Sequence, residues 1–131
     1  MIIDSSYLFD LLAGDPDAFS KGVELVEAGE MQWLPTPVLA ETYYGVATAE
    51  SDTIEQDVRN HLLGYPRVDV DEEIARRAGE LLAAAADRTG GDVGVGPNDA
   101  YIAAMADVLD DAVLTANVDD FETLGVRVDT Y

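Results

Sequence analysis

The chain has 131 residues, enough for one domain with its own core, and it carries no cysteine and a single histidine, His61. Disulfides, thiolate metal centres and a zinc site built on His and Cys are therefore excluded, and any metal must be held by oxygen ligands, which favours Mg²⁺ or Mn²⁺. Acids outnumber bases 27 to 7, for a formal net charge of −20, but they are spread along a chain that is 48% hydrophobic, which describes a folded protein rather than a disordered acidic tail.

The opening residues Met1-Ile2-Ile3 read as a short buried strand that ends on Asp4. Ser5 or Ser6 can cap a short helix through Leu12, with Asp4 itself as an alternative cap. Gly14-Asp15-Pro16-Asp17 breaks that helix, and Asp15 followed by Pro16 opens the next one, which carries Phe19, Val23, Leu25 and Val26 and ends at Gly29. Met31 to Leu34 is a second strand. Thr36-Pro37 starts a helix to about Ala49, and Asp52 caps another that reaches Leu63. After the turn Gly64-Tyr65-Pro66, Arg67 to Val70 is a third strand. Asp71 begins a long helix to about Asp87, the glycine-rich stretch from Thr89 to Gly96 is a loop, and Pro97 opens a helix through Leu109. Ala112 to Thr115 is the fourth strand, a short helical turn covers Asp119 to Leu124, and Val126 to Asp129 is the fifth. Strands that alternate with helices throughout predict a single domain over residues 1–131, with about five parallel strands between two layers of helices, an α/β/α arrangement.

In so acidic a chain, acids that stand alone in apolar stretches are informative. Asp4 is the sole charge between Met1 and Phe9, Glu41 between Met31 and Ala49, and Asp99 between Val93 and Ala106. Asp4 follows a buried strand, at the sheet edge where open α/β folds bind ligands. Glu41 shares a helical face with Val38, Thr42 and Gly45. Asp99 lies at a helix start, where the backbone dipole favours a carboxylate. Each has a structural explanation of its own: a cap for Asp4, a boundary residue for Glu41, helix-start electrostatics for Asp99. The fourth strand runs into Thr115-Ala116-Asn117-Val118-Asp119-Asp120-Phe121, and spacing does not choose among Thr115, Asn117, Asp119 and Asp120 for the inward position. Brought together in one cleft, these acids would need a counter-charge. A divalent cation meets that need, and can also activate water for attack on a phosphodiester. The hydroxyls of Ser6 and Thr115 and the amide of Asn117 are available to orient the acids.

Asp4-Ser5-Ser6 after an apolar strand, Val38-Leu39-Ala40-Glu41, Asn98-Asp99-Ala100-Tyr101-Ile102-Ala103-Ala104, and Thr115 to Phe121 with Asn117 and Asp120 together resemble a PIN domain, and within that family the VapC toxins of type II toxin–antitoxin systems. The resemblance spans essentially the whole chain. It implies a Mg²⁺- or Mn²⁺-dependent endoribonuclease that cuts single-stranded or loop RNA. Asp4, Glu41 and Asp99 would be its acids, with Asp120 as the fourth, Asn117 as a supporting polar group, and Ser6 helping to hold the first acid. In this reading Asp4, Asp99 and Asp120 hold the metal. The resemblance also implies a homodimer and a small antitoxin that covers the helices around Leu8 to Leu12 and Tyr43 to Leu63.

Scarce lysine with abundant Asp and Glu suits a halophile's cytoplasm: at about 1 M salt the Debye length falls to about 3 Å and surface repulsion is screened. No apolar run approaches the roughly 20 residues of a membrane helix, and no basic leader precedes an apolar stretch, so a soluble, cytoplasmic protein is expected. One departure from the nuclease reading is the poverty of basic residues, which form no cluster beyond Arg76-Arg77. An alternative is a catalytically inactive PIN-like module that binds RNA or protein. A receiver domain fits poorly, because Asp4 has no neighbouring acid and the one lysine, Lys21, is early. His61, in the polar segment Arg59-Asn60-His61, reads as solvated. Tyr43, Tyr44 and Tyr101 read as core or dimer surface. The loop from Gly90 to Gly96 lacks the Lys-Ser/Thr ending of a P-loop.

Overall fold

A computed structural model describes residues 1–49 and 51–131. Along the chain the elements are β1 (Ile2–Ile3), α1 (Ser5–Ala13), α2 (Pro16–Glu27), β2 (Leu34–Pro35), α3 (Thr36–Thr48), α4 (Asp52–Leu62), β3 (Arg67–Val68), α5 (Glu72–Thr89), α6 (Pro97–Val108), β4 (Val113–Leu114), α7 (Val118–Thr123) and β5 (Val128–Asp129). All strand pairings are parallel: β1 with β4, β4 with β5, and β2 with β3. The bridge Ile2–Trp33 joins the two parts, carried by Ile3 N–H to Trp33 O at 3.0 Å and Trp33 N–H to Met1 O at 2.8 Å. The result is one five-strand order, β3-β2-β1-β4-β5.

Successive side chains on a strand point to opposite faces. Ile2 and Ile3 of β1 and Val113 and Leu114 of β4 are all fully buried, so both faces of the central strands are covered by helices. Each such side chain contributes about 1.5–3 kcal/mol of burial, which is why strands of two residues suffice to fix the centre of the sheet. The order also fixes where function can sit. From β1 the chain moves outward through β2 to β3, then returns to the other side of β1 for β4 and β5. The carboxyl ends of β1 and β4 therefore flank the crevice at which the winding reverses.

Several local expectations need correction. The cap position of α1 is Asp4, not Ser5 or Ser6, and Ser5 is the first helical residue. Ser51 rather than Asp52 occupies the cap of α4 and accepts from Ile54 N–H. The second strand is shifted to Leu34–Pro35. In α2, Ala18 and Leu25 face the core, whereas Phe19 (63% exposed) and Val26 (70%) lie outward. Of the tyrosines expected in the core or on a dimer surface, Tyr43 and Tyr44 on α3 are exposed and Tyr101 is half-buried. His61 is exposed as expected. No helix among the described residues is long and apolar enough to cross a membrane.

Candidate metal centre

The crevice is built first from the ends of β1 and β4. Asp4 N–H donates to Leu114 O at 3.0 Å, which locks the two strand ends together. Asp4 has extended backbone angles and sits at the N-cap of α1, yet its side chain caps nothing. It is 3% exposed, and its Oδ2 instead accepts from Thr115 Oγ at 2.7 Å and Ser6 Oγ at 2.8 Å. Both hydroxyls are themselves oriented. Asn117 N–H donates to Thr115 Oγ at 2.9 Å, and Ala116 N–H donates to Ser6 Oγ at 3.0 Å. Each hydroxyl thus accepts from a backbone amide and lies within donating reach of Asp4, and the two hydroxyl oxygens are themselves 3.0 Å apart. One carboxylate oxygen is thereby saturated. The other, Oδ1, has among the described residues only Ser5 Oγ at 3.5 Å, beyond a normal hydrogen bond, and is available to a ligand. Asp4 therefore occupies the cap position of α1 while its side chain makes no cap hydrogen bond and joins Ser6 and Thr115 instead.

Asp99 comes from the first turn of α6, after Gly96 at the cap and Pro97 at the first position. Glycine offers no side chain to the uncapped amides, so a carboxylate in that turn is favoured by the helix dipole. Burial nevertheless dominates: it is the largest cause that lifts the Asp99 carboxyl from 3.8 to about 6, followed by the negative charges of Asp4, Asp120 and Glu41. Those three contributions tie the four acids into one electrostatic cluster. Asp119 is not among them and is exposed, so Asp120 is the acid of α7 that faces the crevice.

Glu41 arrives from α3, which packs on α6, and its Oε1 accepts from Asn98 Nδ2 at 3.1 Å. Asn117 Nδ2 donates to Asp120 Oδ2. Three of the four acids are thus steadied by neutral donors, and Asp99 alone has no side-chain donor among the described residues. No ion pair among the described residues involves Asp4, Glu41, Asp99 or Asp120. The cluster is oriented without being neutralised.

Such a donor set, all oxygen and free of cationic partners, suits a hard divalent cation. No three acidic or imidazole side chains among the described residues converge closely enough to hold an ion as they stand. Four like charges tend to hold one another apart, and each has rotatable bonds through which to close on a cation. Every residue named from sequence for this site lies at the crevice: Asp4, Glu41, Asp99, Asp120, Ser6, Thr115 and Asn117. Asn98 was missed as a participant, although its place beside an isolated acid was a signal.

Away from the crevice, Tyr7, Leu11, Phe19, Val23, Val26 and Tyr65 border a groove of about 510 Å³ between α1, α2 and α4. Among the described residues, the buried atoms Tyr7 Oη and Gln32 Oε1 have no hydrogen-bond partner, and both residues line this groove.

A model of the PIN domain matches residues 1–126. No curated protein matches the sequence. Among solved structures, a chain of VapBC2 from Rickettsia felis bound to a promoter DNA fragment superposes with a TM-score of 0.83 at 20% identity, covering 99% of this chain and 97% of that one. VapBC-1 from nontypeable Haemophilus influenzae gives 0.81 at 18% identity, with 98% and 96% covered. DNA-bound VapBC from Salmonella typhimurium gives 0.77 at 23%, also with 98% and 96% covered. At these identities the likeness is one of fold. Together with the family match over nearly the whole chain, it shows that this protein belongs to the PIN-domain family.

Proposed function

We propose that the protein is the toxin of a toxin–antitoxin pair, a metal-dependent endoribonuclease that hydrolyses RNA phosphodiester bonds at the four-acid crevice. The observation that carries this reading is the un-neutralised cluster itself, in which burial first, and then the charges of Asp4, Asp120 and Glu41, lift the carboxyl of half-buried Asp99 to about 6. Asp4, through its open Oδ1, Asp99 and Asp120 would hold Mg²⁺ or Mn²⁺. Such an ion, when bound, would neutralise the cluster and activate water for in-line attack on a phosphate. Glu41, fixed by Asn98, is the remaining acid: its charge would add to the hold on the ion, and its carboxylate would orient the attacking water and accept its proton.

The partner assignment rests on the solved structures of like fold, among them a toxin–antitoxin complex from Klebsiella pneumoniae and a member of the VapBC family of toxin–antitoxin systems from Mycobacterium tuberculosis. The antitoxin would cover the α1/α2/α4 groove. Its exposed Phe19, Val23 and Val26 supply apolar area. A net charge of −20 calls for a basic partner. A homodimer in the cytoplasm of a halophile completes the reading.

Cleavage of a mixed tRNA and rRNA pool tests it, at 0.1 M and 2 M KCl, with Mg²⁺ or Mn²⁺ against EDTA. Metal-dependent cutting that is lost in Asp4→Asn and is greater at 2 M KCl is expected. A folded, metal-loaded wild type that cuts nothing in either salt would instead favour a PIN-like module that binds RNA or protein without cleaving. Cutting confined to 0.1 M KCl would remove the halophilic part alone.

A further inference from the structure

We infer that Asn98 is a positioning residue for the metal centre, and that it acts by clamping Glu41 from a neighbouring helix. The inference rests on the metal-dependent reading above and adds to it a residue with a defined task. Asn98 is the second residue of α6, directly before Asp99, and its Nδ2 donates to Glu41 Oε1 at 3.1 Å across 57 positions of sequence. Pro97 opens the same turn with a fixed φ, so the backbone that carries both Asn98 and Asp99 is pre-set for the helix. One rigid turn thus places an acid and holds a second one.

The chemistry of the donor is well chosen. Glu41 has three rotatable side-chain bonds and projects from the body of α3, away from any strand end or helix start that would orient it. Left alone, its carboxylate would swing toward water and away from Asp4, Asp99 and Asp120. An arginine or lysine at position 98 would hold it but cancel one of the charges that a cation requires. An aspartate would repel it. The asparagine amide grips one oxygen, leaves the charge intact, and leaves Oε2 free for water. The same solution recurs at Asp120, held by the amide of Asn117, and at Asp4, held by two hydroxyls. Donors that orient the groups of a metal site typically cost about 10–100-fold in metal affinity or activity when removed.

The test is Mn²⁺ binding, followed by electron paramagnetic resonance of free Mn²⁺, for wild type, Asn98→Ala, Glu41→Ala and the double variant. Thermal unfolding without metal is recorded alongside. Asn98→Ala is expected to weaken binding about 10-fold with an unchanged melting temperature, and to have no further effect in the Glu41→Ala background. Asn98→Gln, which keeps the amide, should recover part of the loss, whereas Asn98→Asp should be weaker than Asn98→Ala. Equal affinity in wild type and Asn98→Ala would overturn the inference while leaving the metal site standing. So would the same loss in both backgrounds, since Asn98 would then act without Glu41. A wild type that binds no Mn²⁺ would remove the metal-dependent reading itself, and the role of Asn98 with it.

Discussion

Asp99 is the residue on which the chemistry and the stability of this protein pull in opposite directions. Its carboxyl is lifted in the fold from 3.8 to about 6, with burial as the chief cause. The unfolded chain therefore gives up this proton at lower pH than the folded chain does. The stabilising contribution of the protonated group is present below about pH 4, declines as pH rises toward 6, and is absent above it. A cation requires the opposite state, the carboxylate. Mn²⁺ affinity is expected to fall by about tenfold per pH unit below 6 and to level off above it. Asn at this position should raise the melting temperature of the metal-free protein by about 2–4 °C while abolishing metal binding. Titrations between pH 4.5 and 8 with calorimetry of both proteins check this, and an affinity flat across that range would contradict it. At this scale the acids were legible in sequence because Asp4, Glu41 and Asp99 each stand alone among apolar neighbours. Asn98 was less so, because an asparagine in a first helical turn is commonplace and only the fold brings α3 against it.

At the scale of elements, two junctions do the positioning. The first is the hydroxyl network that ties the end of β1 to the end of β4. Thr115 is fully buried, donates to Asp4 and accepts from Asn117 N–H. Thr115→Val keeps the shape but strips Asp4 of one donor and leaves that amide unpaired, so a loss of about 1–3 kcal/mol is expected in urea unfolding, together with lower activity. Wild-type stability in this variant would show that the network orients nothing. The second is the groove between α1, α2 and α4. Val26→Asp, at a position 70% exposed, should leave folding intact and weaken antitoxin binding by about tenfold or more, read by calorimetry with the cognate antitoxin. Unchanged affinity would place the partner elsewhere. The sequence pattern of Phe19, Val23 and Val26 identifies α2 as a helix but not which way it faces. Periodicity reports an apolar stripe, and a stripe that lines an open groove has the same spacing as one that meets a core. Cap positions were off by one for a related reason: Asp4 and Ser51 compete with adjacent Ser5 and Asp52, all good capping types.

At the scale of the whole molecule, alternation of strands and helices was sufficient to predict a parallel sheet covered on both faces, and the order β3-β2-β1-β4-β5 follows the same logic. What alternation does not contain is the place of reversal, since that depends on which side of β1 the fourth strand enters. The reversal is what carries Asp4 to the Ser6–Thr115 pair and opens the crevice into which α3, α6 and α7 bring Glu41, Asp99 and Asp120. The choice of Asp120 over Asp119 likewise depends on how a six-residue helix is rotated against the sheet. The most direct test of the four-acid centre is anomalous diffraction at the manganese edge from crystals saturated with Mn²⁺. A peak bounded by Asp4 Oδ1, Asp99 and Asp120 is expected. Density confined to the acidic outer surface, with those three carboxylates well ordered and free of manganese, would contradict it.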